Sequence, residues 1–310
     1  KYTPDTPSTG YDLSTAKSGY GKNQTIDGTY DPTIWKIMET DKGGNITKLL
    51  GIGRKEVKFL GTTGYNNGVY LLNDICKTRY GNASLGATAR NLNIEDIELK
   101  MNSTGIEARN AHKSGTIQYG TTKTFKGNNA KYPAIYEQEK YAGVHRDAQG
   151  NLVEVSDVSD GTQIITGSVD ATAKGKMNPN GKTQSEDVYT AATTEKSKAD
   201  AKTLTCTKTG YYFSNISSSY FDDANFYNMI FGTETYFWLA SRYVSCNSLY
   251  AFWGLYIVKN GDLNGNILFC SSGDDSVSNY TRLAPVVTFD STIQIKSGSG
   301  TTENPYIIGK

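Results

Sequence analysis

Apolar residues at Ile34, Trp35, Ile37 and Met38 stop at the polar run Asp41–Asn45 and resume at Ile46, Leu49, Leu50 and Ile52. Two such runs around a glycine-containing turn predict a β-hairpin. Over residues 67–80 the spacing changes to three or four. Val69, Leu72, Cys76 and Arg79 or Tyr80 then share one face, with Asn67 placed to cap the start and Gly81 to end it, so a helix is predicted. A shorter helix is predicted over 94–101, with Asn93 as cap, Asp96 three residues later, and Ile94, Ile97 and Met101 on one face. Both helices read as core supports.

Over 113–203 the pattern dissolves. Gly, Thr, Lys, Ser and Asn rise, apolar residues are sparse and aperiodic, and such a stretch cannot bury a core of its own. It reads as a long polar insertion draped over the body, most linker-like at 166–202, with a hairpin turn at 147–151. Regular pattern returns in a strand-like run at 204–213. An amphipathic segment follows at 221–231, where Asp222 or Asp223 can cap and Phe226, Met229 and Ile230 face inward. Strands are then expected at 237–240, 251–258, 266–269 and 285–289, with turns at Asn260–Gly261, Asn264–Gly265 and Ser272–Gly273. Period-two alternation places Ala251, Trp253 and Leu255 on one face, expected to be buried, and Phe252, Gly254 and Tyr256 on the other, expected to be available. The expected organisation is an irregular leader (1–33) packed on the body, a first part of the domain (34–112), the polar insertion (113–203) and a second part (204–310). The class is α+β, with two short helices and antiparallel sheets.

Charge removes several functions. With 32 basic and 31 acidic residues the net charge is +1, so there is no global field to gather nucleic acid or anionic membrane, and no nucleic-acid partner is expected. No apolar run of about 18 residues is present, so no membrane span is expected. The polar start is not a signal peptide, and an N-terminal anchor removed upstream is compatible with it. The two histidines, His112 and His145, are isolated and read as surface or loop residues, not as zinc ligands or general bases. The run at 41–45 lacks the spaced carboxylates of a calcium loop. Four cysteines, at 76, 206, 246 and 270, are too scattered for a disulfide framework or a CxxC site. Cys246 and Cys270 could bridge, and buried free thiols are the other reading. No metal and no cofactor are expected.

The stretch 237–289 stands out. Apolar, β-rich edges at 237–242 and 285–289 enclose a middle dominated by Tyr, Ser, Asn, Gly and Asp, the mixture found in antibody paratopes, where flat rings supply contact area and small polar groups supply adaptable hydrogen bonds. That middle reads as a contact surface.

Several segments in order carry a likeness: FWLASR at 237–242, Trp253-Gly254-Leu255, Leu268-Phe269, APVV at 284–287 and GSGTTENPYII at 298–308. Upstream, IWKIM at 34–38, GYNNGVYLLNDIC at 64–76 and SLGATARNLNIEDIE at 84–98 belong to the same set. Together they resemble the variable proteins of diversity-generating retroelements, bacterial surface and phage-associated proteins whose C-terminal part has the C-type lectin fold. The likeness covers most of the chain outside the polar insertion. It implies a fixed lectin-type scaffold, anchored in some relatives through a pilin-like N-terminal helix, which displays a hypervariable surface outside the cell or on a virion. The partner implied is a protein or other cell-surface ligand, met by an adhesin or receptor-binding protein that is not an enzyme.

Template adenines are mutated in such systems, so Asn-type codons become Tyr, Ser, Asp, Gly, Cys, Leu, Ile, Val or Phe. The implied ligand-binding positions are Asn247, Leu249, Tyr250, Phe252, Tyr256, Asn260, Asp262, Asn264, Asn266, Ser272, Asp274, Val277, Asn279 and Tyr280. Two departures stand beside the likeness. Many relatives carry arginine before the Pro-Val-Val, where this chain has Ala284, with Arg282 two residues earlier; the calcium and sugar motifs of animal C-type lectins are absent. A structural or pilus-type subunit is the runner-up reading. A formylglycine-generating-like oxidase, using Cys246 and Cys270 as its cysteine pair, is the enzymatic one.

Overall fold

The leader does more than coat the surface in the computed structural model of the chain, which describes residues 1–5, 7, 9–13, 24–111, 113–114, 117–118, 122–126, 143–146, 152–155, 203–207, 216–232, 236–246, 251–270 and 278–310. Its strands β1 (Tyr11–Asp12) and β2 (Thr25–Ile26) pair antiparallel, and Tyr2, Leu13 and Ile26 are buried in the same cluster as Leu49, Val57 and Leu72. The Tyr2 ring stands edge-on to Trp35 and Phe289, with centroids 5.0 and 5.9 Å away, while its hydroxyl donates to the Tyr80 carbonyl at 2.6 Å. Isolated plugs of this kind leave no periodic trace in sequence.

The expected hairpin forms from β3 (Trp35–Thr40) and β4 (Ile46–Gly51). Asp41 organises its turn, its carboxylate accepting from the backbone N–H groups of Gly43 and Asn45 and from Asn45 Nδ2. Strand β5 (Glu56–Leu60), which the pattern does not announce, runs directly into α1 (Gly61–Tyr80). The helix begins at Gly61 rather than Asn67, because Gly61 and Gly64 weaken its local signal. After β6 (Ala87–Asn91) comes α2 (Ile94–Glu98), which starts on the expected capping box: Asn93 Oδ1 accepts from the Asp96 N–H, and the Asp96 carboxylate from the Asn93 N–H. A further helix, α3 (Ser103–Ala111), was not expected; Asn102 Oδ1 caps it by accepting from the Gly105 N–H.

Within the insertion, β7 (Lys113–Ser114) pairs with β8 (Ile117–Gln118). Strand β10 (Gly143–Arg146) pairs with β11 (Leu152–Val155) around the predicted turn. Strand β9 (Thr122–Lys126) pairs with β12 (Thr203–Thr207), which joins the two ends of the insertion at its root. Residues 166–202 and most of the run expected at 204–213 lie outside the described residues. Helix α4 (Ala224–Ile230) is capped by Asp223 and buries Phe226, Met229 and Ile230, as its pattern requires.

The remaining strands are β13 (Tyr236–Cys246), β14 (Ala251–Lys259), β15 (Asp262–Cys270), β16 (Ser278–Arg282), β17 (Pro285–Ser297) and β18 (Ile307–Gly309). One sheet runs β15-β14-β13-β16-β5; the other runs β18-β17-β4-β3, with β6 also on β17. Pairing is antiparallel throughout except between β13 and β16. The body is therefore mixed α+β, mostly antiparallel, with few helices. Asn260 and Gly261, at φ 51° and 83°, form a two-residue turn that closes on Lys259 and Asp262. The ladder zips on from there, so Asn264–Gly265 lies inside β15 and is not the expected turn.

The first sheet has apolar packing on both sides. Trp238, Ala240, Leu255 and Ile257 enter the cluster beneath α1, where a Cβ on Gly68 would come within 2.5 Å of Leu255. Phe237, Leu239, Tyr256 and Val258 enter a second cluster with Phe221, Phe226 and Phe231. At the edge of this sheet the Gln24 carboxamide pairs with β5 as a neighbouring strand would: Nε2 donates to the Glu56 carbonyl at 3.0 Å, and Oε1 accepts from the Lys58 N–H at 3.1 Å.

The segment after β6 joins the sheets. Asn91 is fully buried, and its Nδ2 donates to the carbonyls of Trp238 (2.8 Å) and Leu92 (3.0 Å), while Oδ1 accepts from the Ala284 N–H (2.9 Å) and the Cys76 thiol. Leu92 bonds to Ala284 on one side and Ala240 on the other, and the Ile94 N–H donates to buried Ser241 Oγ. Asn91→Ala strands the Ala284 N–H and the Trp238 carbonyl in the core. It should lower stability by about 3 kcal/mol, read as a shift in the urea midpoint; a loss under about 1 kcal/mol would remove Asn91 from this role.

Asp96 carries the other buried polar junction, a two-pronged pair with Arg90 at 2.6 and 2.7 Å. Burial alone raises its carboxyl, but the Arg90 guanidinium and the Asn93 N–H outweigh that and hold it below the usual range. A depressed carboxylate stabilises the fold above its unfolded value, about 3.9, and that contribution disappears as pH falls through the lower folded value. Asp96→Asn should cost about 2 to 3 kcal/mol at neutral pH. It should also flatten the acid limb of stability against pH; an unchanged acid limb would contradict this assignment.

Candidate ligand-binding face

The apolar edges of the distinctive stretch hold the scaffold. Phe237 to Ser241 are buried along β13, Trp238 Nε1 donates to the Val57 carbonyl at 3.0 Å, and its ring meets Phe59 edge-on at 5.4 Å. On the other side, residues 285–289 lie at the centre of the second sheet, paired to β4 and β6 at once.

Between these edges, Asn247, Leu249, Tyr250, Ser272, Asp274 and Val277 lie outside the described residues, as does the expected Ser272–Gly273 turn. Register nevertheless fixes where their segments begin. Cys246 stands opposite Ala251, and Cys270 opposite Phe252, so residues 247–250 and the start of 271–277 both leave one end of the β13-β14-β15 ladder. Phe252 belongs to that end, and Asn279 stands opposite Phe59 on β5. Asn260, Asp262 and Asn264 cluster at the other end, around the turn. Five residues of β14 separate Phe252 from Ile257, the partner of Asn264, about 17 Å at the usual rise per residue. The candidate positions among the described residues therefore do not form one patch.

Two positions do not face outward. Tyr256 is fully buried and Asn266 is 7% exposed. The expected available face of β14 fails because alternation marks an exposed face only when one side of a sheet is covered, and here Phe221, Phe226 and Phe231 cover the second side. Asn266 stands opposite Leu255, and its Nδ2 is buried without a hydrogen-bond partner.

Tyr280 is 48% exposed, with the Lys58 ammonium 4.8 Å above its ring, so the geometry adds Lys58 to the face. No local signal pairs those residues, since β5 and β16 meet only through the tertiary fold. At the turn end, Lys259 stacks on Tyr236 at 5.2 Å. That pair comes from the register of β13 against β14, in which Tyr236 stands opposite Lys259; the Asn-Gly turn sets only the register of β14 against β15.

The register also separates Cys246 from Cys270. They flank opposite edges of β14, two strand spacings apart, about 10 Å, and a disulfide requires Cα atoms within about 7 Å. Among the described residues no group of three or more His, Cys, Asp or Glu is arranged to hold a metal, and no helix is long and apolar enough to cross a membrane. No family model, curated protein or solved structure matches the chain.

Tyr256→Ala should cost about 3 to 4 kcal/mol of stability, whereas Tyr280→Ala should change it by no more than about 1 kcal/mol. Chemical denaturation of both variants checks the division; equal losses would show that Tyr280 also serves the core.

Proposed function

We propose that the chain is a non-enzymatic ligand-binding protein, an adhesin or receptor-binding protein. It displays a hypervariable surface on a C-type lectin scaffold, diversified by a retroelement, at a bacterial cell or virion surface. The observation that supports this reading is that Cys246, Ala251 and Cys270, the residues flanking the Tyr/Ser/Asn/Asp-rich stretches of the sequence, share one end of a ladder packed on both sides. A rigid scaffold under two Tyr/Ser/Asn/Asp-rich segments lets aromatic anchors bind with little ordering cost.

On this reading the ligand-facing set is Asn247, Leu249, Tyr250, Phe252, Ser272, Asp274, Val277, Asn279 and Tyr280, with Lys58 beside it. Tyr256 and Asn266 belong to the scaffold, and Asn260, Asp262 and Asn264 form a separate patch. The register that sets Cys246 and Cys270 on opposite edges of β14 weighs against the oxidase reading. The partner is a protein or other cell-surface ligand.

Sequencing the DNA around the gene tests the proposal. The expected result is a reverse transcriptase and a near-identical repeat of the 237–289 coding region, differing from it at template adenines in the codons of the ligand-facing set. Absence of a repeat, or differences scattered over scaffold codons such as those of Trp238 and Val287, would overturn it.

A subunit role in assembly is the second reading, favoured by β18, which ends its sheet with Ile307 44% exposed. Concentration-dependent oligomers in sedimentation velocity, abolished by Ile307→Asp, would support it; a monomer at all concentrations would exclude it.

A further inference from the structure

The turn end of the β14-β15 hairpin holds a reactive pair. A two-residue turn makes its closing residues, Lys259 and Asp262, a hydrogen-bonded pair, and such pairs alternate along an antiparallel ladder. Ile257 with Asn264 is then bonded, and Tyr256 with Gly265 is not. The Gly265 N–H consequently points away from β14, at the edge of the sheet. It donates instead to Asn264 Oδ1, its own neighbour's side chain, at 2.8 Å. That contact blunts the edge, and it also holds a carboxamide against the one backbone nitrogen able to close a five-membered ring on it. Glycine at 265 places no side chain in the way, and both residues are partly exposed.

We propose that Asn264 is a self-modification site, converting to aspartate and isoaspartate in the folded protein without an enzyme. The Gly265 amide nitrogen gives up its proton and attacks Asn264 Cγ. The new N–Cγ bond forms as the Cγ–Nδ2 bond breaks, and Nδ2 leaves as ammonia with the proton. Water then opens the resulting succinimide. Attack at Cγ gives aspartate; attack at the main-chain carbonyl gives isoaspartate. Each conversion takes the net charge from +1 to 0 and places a second carboxylate near Asp262. Isoaspartate also lengthens the backbone by one methylene, which disturbs the register of 265–270 against β14, the strand section that leads to segment 271–277. The edge thus carries a slow chemical clock that changes the charge and then the alignment of the surface.

Asn260, followed by Gly261 in the turn, provides a comparison within the same molecule. The test is incubation of the folded, full chain at mildly alkaline pH, with peptide mapping by mass spectrometry and separation of aspartate from isoaspartate peptides. The expected result is conversion at Asn264 in the native protein at a rate at least equal to that in urea, with Gly265→Ala slowing it about tenfold, a barrier change of about 1.4 kcal/mol. Conversion at Asn264 only after unfolding, or at Asn260 while Asn264 stays intact, would overturn the proposal. Both of those readings come from the unaltered protein, so they hold even if Gly265→Ala does not fold.

Discussion

The carboxamide of Asn91 is the junction on which the rest of this structure depends. Two sheets that share no strand meet along residues 91–94, and one buried side chain bonds to the backbone of Trp238, in the first apolar edge of the distinctive stretch, and of Ala284, the residue before the second. Asparagine suits this place because it offers two donors and two acceptor lone pairs in one plane, and all four are used. Aspartate lacks the donors, and a hydrophobic residue of similar size leaves main-chain groups unpaired in the core. The segments that carry the candidate face are spaced by this one group.

The second organising constraint is that strands β13 and β14 divide two cores. Successive residues go to alternate sides, one set beneath α1 and the other against the aromatic cluster of Phe221, Phe226 and Phe231. A sheet so enclosed has no free face there, and among the described residues exposure returns at the turn around Asn260 and at the β16–β5 border where Tyr280 stands. Such a layout separates stability from exposure: among the described residues, those that fix the ladder are not those that meet solvent.

What could be read in the sequence follows the range of the interaction. Caps are local, and Asn93 with Asp96 and Asp223 occupy their expected places. The β3–β4 hairpin and the inward residues of α4 are also local patterns. The N-terminal part of α1 is hidden by Gly61 and Gly64, while Gly68, within the predicted part, is set by contact with Leu255, a residue remote in sequence. Tyr256 looked available because alternation reports only which residues share a side; what packs on that side is decided by the 216–231 segment. Tyr2, Leu13 and Ile26 gave no signal because each fills its own gap in the body. The placing of the described candidate positions along the ladder was likewise unreadable, because Asn260–Gly261 and Asn264–Gly265 are equal turn signals and only the fold shows that the first closes the hairpin.

The Gln24 carboxamide on the border strand β5 has a consequence for handling this molecule. One side chain there substitutes for a whole strand, hiding the Glu56 carbonyl and the Lys58 N–H. Backbone groups bond to any extended peptide whatever its side chains, so an uncovered border invites indiscriminate stacking of sheets. It lies beside Tyr280, so a copy trimmed of its leader presents a pairing-competent strand next to the candidate face. The leader is in this sense a guard on the border: it occupies main-chain groups that another extended chain would otherwise pair with.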